Sequence, residues 1–445
     1  MTETVRRPLV RPAFFRLSLV VFVLLVPMVV HAAWDYVETR RLRLAIEEIR
    51  GRGEPVTLED IRTRPTKADG LKSDRYYRAA AVLASPDPTK QRGLFERVQD
   101  AERKGDWPAG LVEEMRRHLD EHEDALQLLD RAAPLAFEGF SPGTVGGSAG
   151  LFPLARLAGL RTWSRALDRD SGRATDSVYA ELRLRPVVDW AWPVFRARVD
   201  EIDRVGGVLS ATHPSPAELS RIGRALVDLD RDDGLTQWFL RRRAALFDSL
   251  FGPGRDTWFL TQAGFWQLGF FERLGRPWVD RAIRLRVETL SRVISALDQP
   301  WPQRRDAVES VYDRGSPPGD GSTRITRFLA REREFKLPDV AMSHQIVDDL
   351  ALIRVARLAV AIEAYRRAHR EAMPARLDDL MPGYLDSLPV DPYSGQRFLF
   401  HAEARTYAVY SVGPNRRDDS GDFTLLRFSQ GVRESRDVGL RIQYR

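Results

Sequence analysis

Hydrophobic and polar positions divide the chain into three regimes. Residues 17–33 form a nearly unbroken apolar run, Leu17-Ser-Leu-Val-Val-Phe-Val-Leu-Leu-Val-Pro-Met-Val-Val30, closed by His31-Ala-Ala-Trp34. Beyond it, apolar residues recur every three to four positions through one segment after another, the signature of amphipathic helices. Near the C-terminus the period becomes two. Arg397-Phe-Leu-Phe-His401, Thr406-Tyr-Ala-Val-Tyr-Ser411, Thr424-Leu-Leu-Arg-Phe428 and Val438-Gly-Leu-Arg-Ile-Gln-Tyr444 read as four short strands of an antiparallel sheet.

The first regime predicts a membrane segment. A helix over 17–33 reaches about 25 Å at 1.5 Å per residue, enough to cross a bilayer with Trp34 at the interface. Arg6, Arg7, Arg11 and Arg16 precede it, which keeps the N-terminus cytoplasmic and places the bulk of the chain outside. Val30-His-Ala32 also offers small residues where a signal peptidase cuts. The helical pattern running on through Val37, Leu42, Leu44, Ile46 and Ile49 favours an uncleaved anchor.

The second regime predicts a helical body. Residues 51–72 read as a linker with a capping-box-like start at Thr57 and Asp60. A helix follows from Asp74 with Tyr76, Tyr77, Ala80 and Leu83 on one face. Further helices are expected over 89–104, 109–132, 151–170, 175–204, 216–231, 235–250 and 277–298. Within 109–132, Leu111, Met115, Leu119, Leu126 and Leu129 make a stripe, and Ser215 and Pro216 suit an N-cap and first helical turn. Helix after helix with short connections predicts stacked antiparallel hairpins. No 34-residue repeat is visible, and the many Trp of this body are expected in packing. Loops are expected at 139–150 and 314–323.

The third regime opens with a helix, Ile346, Leu350, Ile353, Ala356, Val360 and Tyr365 facing one way, and packs it on the predicted sheet as a small α+β module. The expected fold class is therefore mainly α, with a single N-terminal transmembrane helix. The expected divisions are 1–34 (Arg-rich flank and anchor), 35–72 (juxtamembrane helix and linker), 73–340 (helical body) and 341–445 (α+β module).

Composition narrows the chemistry. At 445 residues, 43% hydrophobic and 30% charged, the chain is ordinary globular protein rather than a disordered one. Its net charge of +6 rests on Arg interleaved with Asp and Glu, as in Arg331-Glu-Arg-Glu334, so no nucleic-acid partner is expected. With no cysteine there are no disulfides, thiolate nucleophiles or Cys-based metal sites.

Three local patterns carry candidate chemistry. His118-Leu-Asp-Glu-His122 matches the His-x-x-Glu-His arrangement in which two His bind zinc from one helix face and the Glu, here Glu121, activates water. Its charged flanks equally suit a plain solvated helix face. Gly146-Gly-Ser-Ala-Gly150 matches Gly-x-Ser-x-Gly but lacks the preceding strand that a nucleophile elbow needs, and reads as loop. Asn415, Asp418, Asp419 and Asp422, with Gly413 and Gly421 letting the chain curl, offer oxygen ligands for a hard cation such as Ca²⁺, or form a polar turn between strands. No nucleotide-binding glycine motif is present.

The last hundred residues resemble the soluble part of a type II secretion major pseudopilin. The likeness rests on Ala361-Ile-Glu-Ala-Tyr365, Met373-Pro374 with Leu377 and Leu380, Val390-Asp-Pro-Tyr-Ser-Gly395, and Tyr410-Ser-Val-Gly413 before an acidic loop. In pseudopilins that loop binds calcium, which implies Asn415, Asp418, Asp419 and Asp422 as ligands. Asn415 stands where the family usually has Asp. Residues 1–34 lack the Gly-Phe leader junction and the acid of the pilin helix, which implies that the chain is not assembled like a pilin. The whole layout is similar to membrane-anchored, largely helical bacterial proteins of unknown activity that end in this module, through Gly53-Glu-Pro-Val-Thr-Leu-Glu-Asp60, Tyr76-Tyr-Arg-Ala-Ala-Ala81 and Ala155-Arg-Leu-Ala158. The expected function is a non-enzymatic interaction or scaffold protein of the cell envelope, with a protein or peptide partner. The alternative is a zinc-dependent hydrolase using His118, Glu121 and His122.

Overall fold

The computed structural model describes residues 10–61, 66–84, 88–139, 150–191, 201–251, 272–313, 332–403, 405–423 and 436–444. The chain is 69% helix, with 14 helices among the described residues and one small three-stranded antiparallel sheet near the C-terminus. It divides into two compact units. The first comprises Met1–Asp60, Arg243–Val293 and Val311–Leu337; the second comprises Ile61–Arg242, Ile294–Ser310 and Pro338–Arg445.

In the first unit, α1 (Val10–Gly51) is one continuous helix despite Pro27. Its two halves differ in surroundings. From Val21 to Val30 the described side chains are exposed, whereas Glu38, Leu42 and Ile49 are buried. This is the one helix long and apolar enough to span a membrane among the described residues. The buried half packs beside α12 (Glu272–Ala296). There Thr39 donates to Asp280 at 2.7 Å, and Arg284 bridges Glu38 at 3.3 Å and Glu288 at 2.7 Å. After α1, Thr57 and Asp60 form the expected reciprocal cap on the single-turn α2 (Leu58–Ile61): the Thr57 N–H donates to Asp60 at 2.8 Å, and the Asp60 N–H to the Thr57 hydroxyl at 3.3 Å. Arg243, near the middle of α11 (Gly234–Phe251), is fully buried. Glu54 at 2.7 Å, Ser291 at 3.0 Å and the Pro55 carbonyl at 3.3 Å compensate it, as a buried cation requires.

The second unit begins with α3 (Ala68–Leu83), α4 (Pro88–Lys104), α5 (Ala109–Asp120) and α6 (Glu123–Ala132). Helix α3 starts six residues before the expected Asp74, and its buried face is Ser73, Tyr77, Ala80 and Ala81 rather than one including Leu83, which is 45% exposed. Small residues on that face let α6 approach closely. Then follow α7 (Leu151–Leu167), α8 (Ser171–Ala191), α9 (Glu201–Ala211) and α10 (Pro216–Leu229). Ser215 caps α10 in a capping box with Glu218, and Pro216 occupies its first turn, both as expected. Helix α8 is buried on opposite faces. Ala180, Leu184 and Val187 join a core with α3 to α7, while Ala174, Val178 and Leu182 join a second core with α9, α10 and the C-terminal elements. A helix with apolar residues on two faces fits between two packed layers. Trp163 and Trp238 are buried in packing.

Helix α13 (Gln303–Asp313) precedes α14 (Glu332–Ala368), which enters the module fourteen residues before Ile346. A 3₁₀ turn at Leu377–Leu380 follows, then β1 (Leu399–Ala402), β2 (Thr406–Ser411) and β3 (Val438–Gln443) in the order β1-β2-β3. Val409 pairs with Phe400 on one side and Leu440 on the other. The expected strand at 424–428, the loops at 140–149 and 314–323, the Ser of the Gly-x-Ser-x-Gly pattern and the middle of the expected helix 175–204 lie outside the described residues. The sheet does not close its core alone: Val409, Leu440 and Ile442 pack with Ile362 of α14, Val205 of α9 and Ile222 of α10.

Candidate functional site

His118, Glu121 and His122 bring their ligand atoms together within 4.8 Å, and among the described residues they are the only such group of three His, Asp or Glu. They do not lie on one helix, as the zinc motif presupposes. Helix α5 ends at Asp120, Glu121 is its C-cap, and His122 is the N-cap of α6 with φ −120° and ψ 19°. The cause is local. The His122 Nδ1 sits 2.9 Å from the His118 carbonyl, the acceptor that a continuing helix would give to the His122 N–H. That N–H instead bonds the Leu119 carbonyl at 3.1 Å, a tighter i−3 closure typical of a helix end.

The two imidazoles are also not on a solvated face. His118 is 7% exposed and His122 9%, their rings 4.5 Å apart and tilted by 50°. The reason was present in the stripe: 115, 119, 122, 126 and 129 continue the helical spacing, so His122 falls on the buried side. Glu121 points outward, its side chain 51% exposed, with one carboxylate oxygen 3.8 Å from the His118 Nδ1.

The acidic loop after β2 is curled by Gly413 at φ 62° and Gly421 at φ 74°, with Arg416 and Ser420 also in the left-handed region. Its oxygen-bearing side chains are engaged by protein donors. Tyr410 donates to Asp418 at 3.2 Å, Asn415 donates to Asp419 at 2.9 Å, Asp422 pairs with Arg436, and Asn415 accepts from the Arg417 N–H at 2.9 Å. The organising group is one that sequence reasoning passed over, Asp437 beside β3, which accepts from the Gly421 N–H at 2.7 Å and the Asp419 N–H at 3.3 Å. Burial raises its pKa, and the neighbouring Asp418 and Asp419 charges add to the shift.

A second feature missed in the sequence is a buried charge network in the second unit. Arg185 of α8 lies 3.1 Å from Glu201 of α9 and 3.1 Å from Asp349 of α14. Arg204 pairs with Glu181, whose other oxygen accepts from Thr162 at 3.0 Å, and the Arg204 guanidinium lies 5.0 Å from the centre of the Trp163 ring. Burial pushes Glu201 up to about 7 against the opposing pull of Arg185 and Arg204. In the sequence these residues look like any surface charges. The available signal was the position of Glu181 and Arg185 between the apolar residues Ala180, Leu182, Leu184 and Val187 of α8.

No protein-family model, curated protein or solved structure matches the chain.

Proposed function

We propose that the chain is a non-enzymatic interaction or scaffold protein of the bacterial cell envelope, anchored in the inner membrane by α1 with its N-terminus cytoplasmic and its folded bulk on the other side. The observation that carries this reading is the division of α1. One unbroken helix exposes its described side chains from Val21 to Val30, then turns Glu38, Leu42 and Ile49 into the first unit. A bilayer covers the first half, and the second ties the folded unit to it. The arginines ahead of the apolar run set the orientation.

The proposed partner is a protein or peptide, bound by the helical body. For the end module, a long helix, a 3₁₀ turn and a short antiparallel sheet, the pseudopilin-like reading rests on the sequence stretches given above, and with it a connection to secretion or pilus-like systems. Affinity purification of the full chain from cross-linked membranes tests the proposal. It predicts one envelope protein enriched at fixed stoichiometry; recovery of none above an untagged control overturns it.

A further inference from the structure

We propose that the junction of α5 and α6 is a binding site for a divalent transition metal of the Zn²⁺ class, with His118, Glu121 and His122 as ligands. It goes beyond the envelope reading and stands or falls separately.

Three observations converge. The ligand atoms already lie within 4.8 Å of one another, and a tetrahedral ion with bonds of about 2.0–2.2 Å needs them roughly 3.4 Å apart. The His118–Glu121 separation of 3.8 Å is close to that, and Glu121, with its exposed side chain, is free to swing the remaining distance. Second, the His122 Nδ1 at 2.9 Å from the His118 carbonyl serves as an N–H donor, which leaves Nε2 with the lone pair. A backbone carbonyl on the far nitrogen is how metal-binding imidazoles are oriented and their tautomer set. Third, both rings are buried whereas Glu121 reaches solvent, giving a preformed donor pair with an entry path.

The donor set selects the ion. Two imidazole nitrogens and one carboxylate oxygen suit Zn²⁺ and its transition-metal neighbours, while Ca²⁺ and Mg²⁺ demand oxygen ligands. Glu121 acts here as a ligand. Three protein donors leave the fourth position to water, on the exposed side of the cluster. The bound ion would lock the break between the helices, because one ligand comes from the end of α5 and another from the start of α6.

The test uses the detergent-solubilised full chain with Zn²⁺ alone, read by competition with a chromogenic chelator and by melting temperature. One equivalent binds, and saturating Zn²⁺ raises the melting temperature, since an ion that binds only the folded chain must stabilise it. Glu121→Gln, at an exposed position that leaves folding intact, weakens Zn²⁺ binding at least about tenfold, as loss of a charged ligand requires. His122→Ala abolishes it. If the wild-type chain takes up no Zn²⁺ at one equivalent, or Glu121→Gln binds as tightly as wild type, the site does not exist.

Discussion

The Asp391 carboxylate accepts a hydrogen bond from the Ser411 hydroxyl at 2.7 Å, joining the turn before β1 to the end of β2. The same buried carboxylate accepts from the Tyr393 N–H at 2.9 Å and the Ser394 hydroxyl at 2.7 Å, and Ser411 in turn accepts from the Gly413 N–H at 3.1 Å. The Val390-Asp-Pro-Tyr-Ser-Gly395 and Tyr410-Ser-Val-Gly413 stretches, adjacent in no part of the sequence, are thus one hydrogen-bonded unit.

Asp391→Ala strands these donors in a buried site, and unsatisfied buried partners of a charged group cost on the order of 2–4 kcal/mol. The denaturant midpoint should fall with its slope unchanged. Asp391→Asn, which keeps the shape and one acceptor, should lose less. Equal midpoints for Ala and wild type would show that the carboxylate does not hold the turn.

Gly395 closes that turn at φ +71°, and a Cβ there would lie 2.8 Å from the Pro302 Cδ and 2.9 Å from the Trp301 carbonyl oxygen. Gly395→Ala therefore meets a backbone penalty of about 1 kcal/mol plus a clash with main chain that cannot move aside cheaply. Gly383, with nothing near its would-be Cβ, is the control. Thermal melts should show a lower midpoint for Gly395→Ala and almost none of that loss for Gly383→Ala.

Glu201 makes stability depend on pH. Its ordinary value of 4.5 applies in the unfolded chain, and burial raises it to about 7 in the folded one. The stability it contributes is fully present below the unfolded value and is lost as pH climbs through the folded value, because only the folded state must then ionise a desolvated acid. Between about pH 5 and about pH 7.5 the wild type should lose on the order of 1–3 kcal/mol that Glu201→Gln does not lose. Parallel pH profiles for the two proteins would remove Glu201 from the account.

Much of the architecture was legible because helix signals are local. The caps at Thr57 and Ser215, the bounds of α4, α10 and α11, the extents of β2 and β3 and the alternation of β3 follow from spacing within a few residues. What escaped is one local competition for a backbone carbonyl and pairings between distant elements. The break at Glu121–His122 rests on an imidazole taking a carbonyl from its own helix, a choice that the unbroken stripe at Leu119, Leu126 and Leu129 conceals. Likewise, the pairing of Arg185 with Glu201 and Asp349 needs α8, α9 and α14 assembled before it can be seen. The acidic loop was legible as a site of special backbone, but its hub, Asp437, arrives 15 residues after Asp422.

The central claim is the placement of the chain across a membrane, and its lack of cysteine makes that directly measurable. Single-cysteine variants Thr4→Cys, ahead of the apolar run, and Arg376→Cys, whose native side chain is 76% exposed, would be treated with a membrane-impermeant maleimide in cells whose outer membrane alone has been opened. The account predicts that Arg376→Cys labels at once and Thr4→Cys only after the inner membrane is lysed. Labelling of Thr4→Cys with protection of Arg376→Cys, or labelling of both only after lysis, would contradict it.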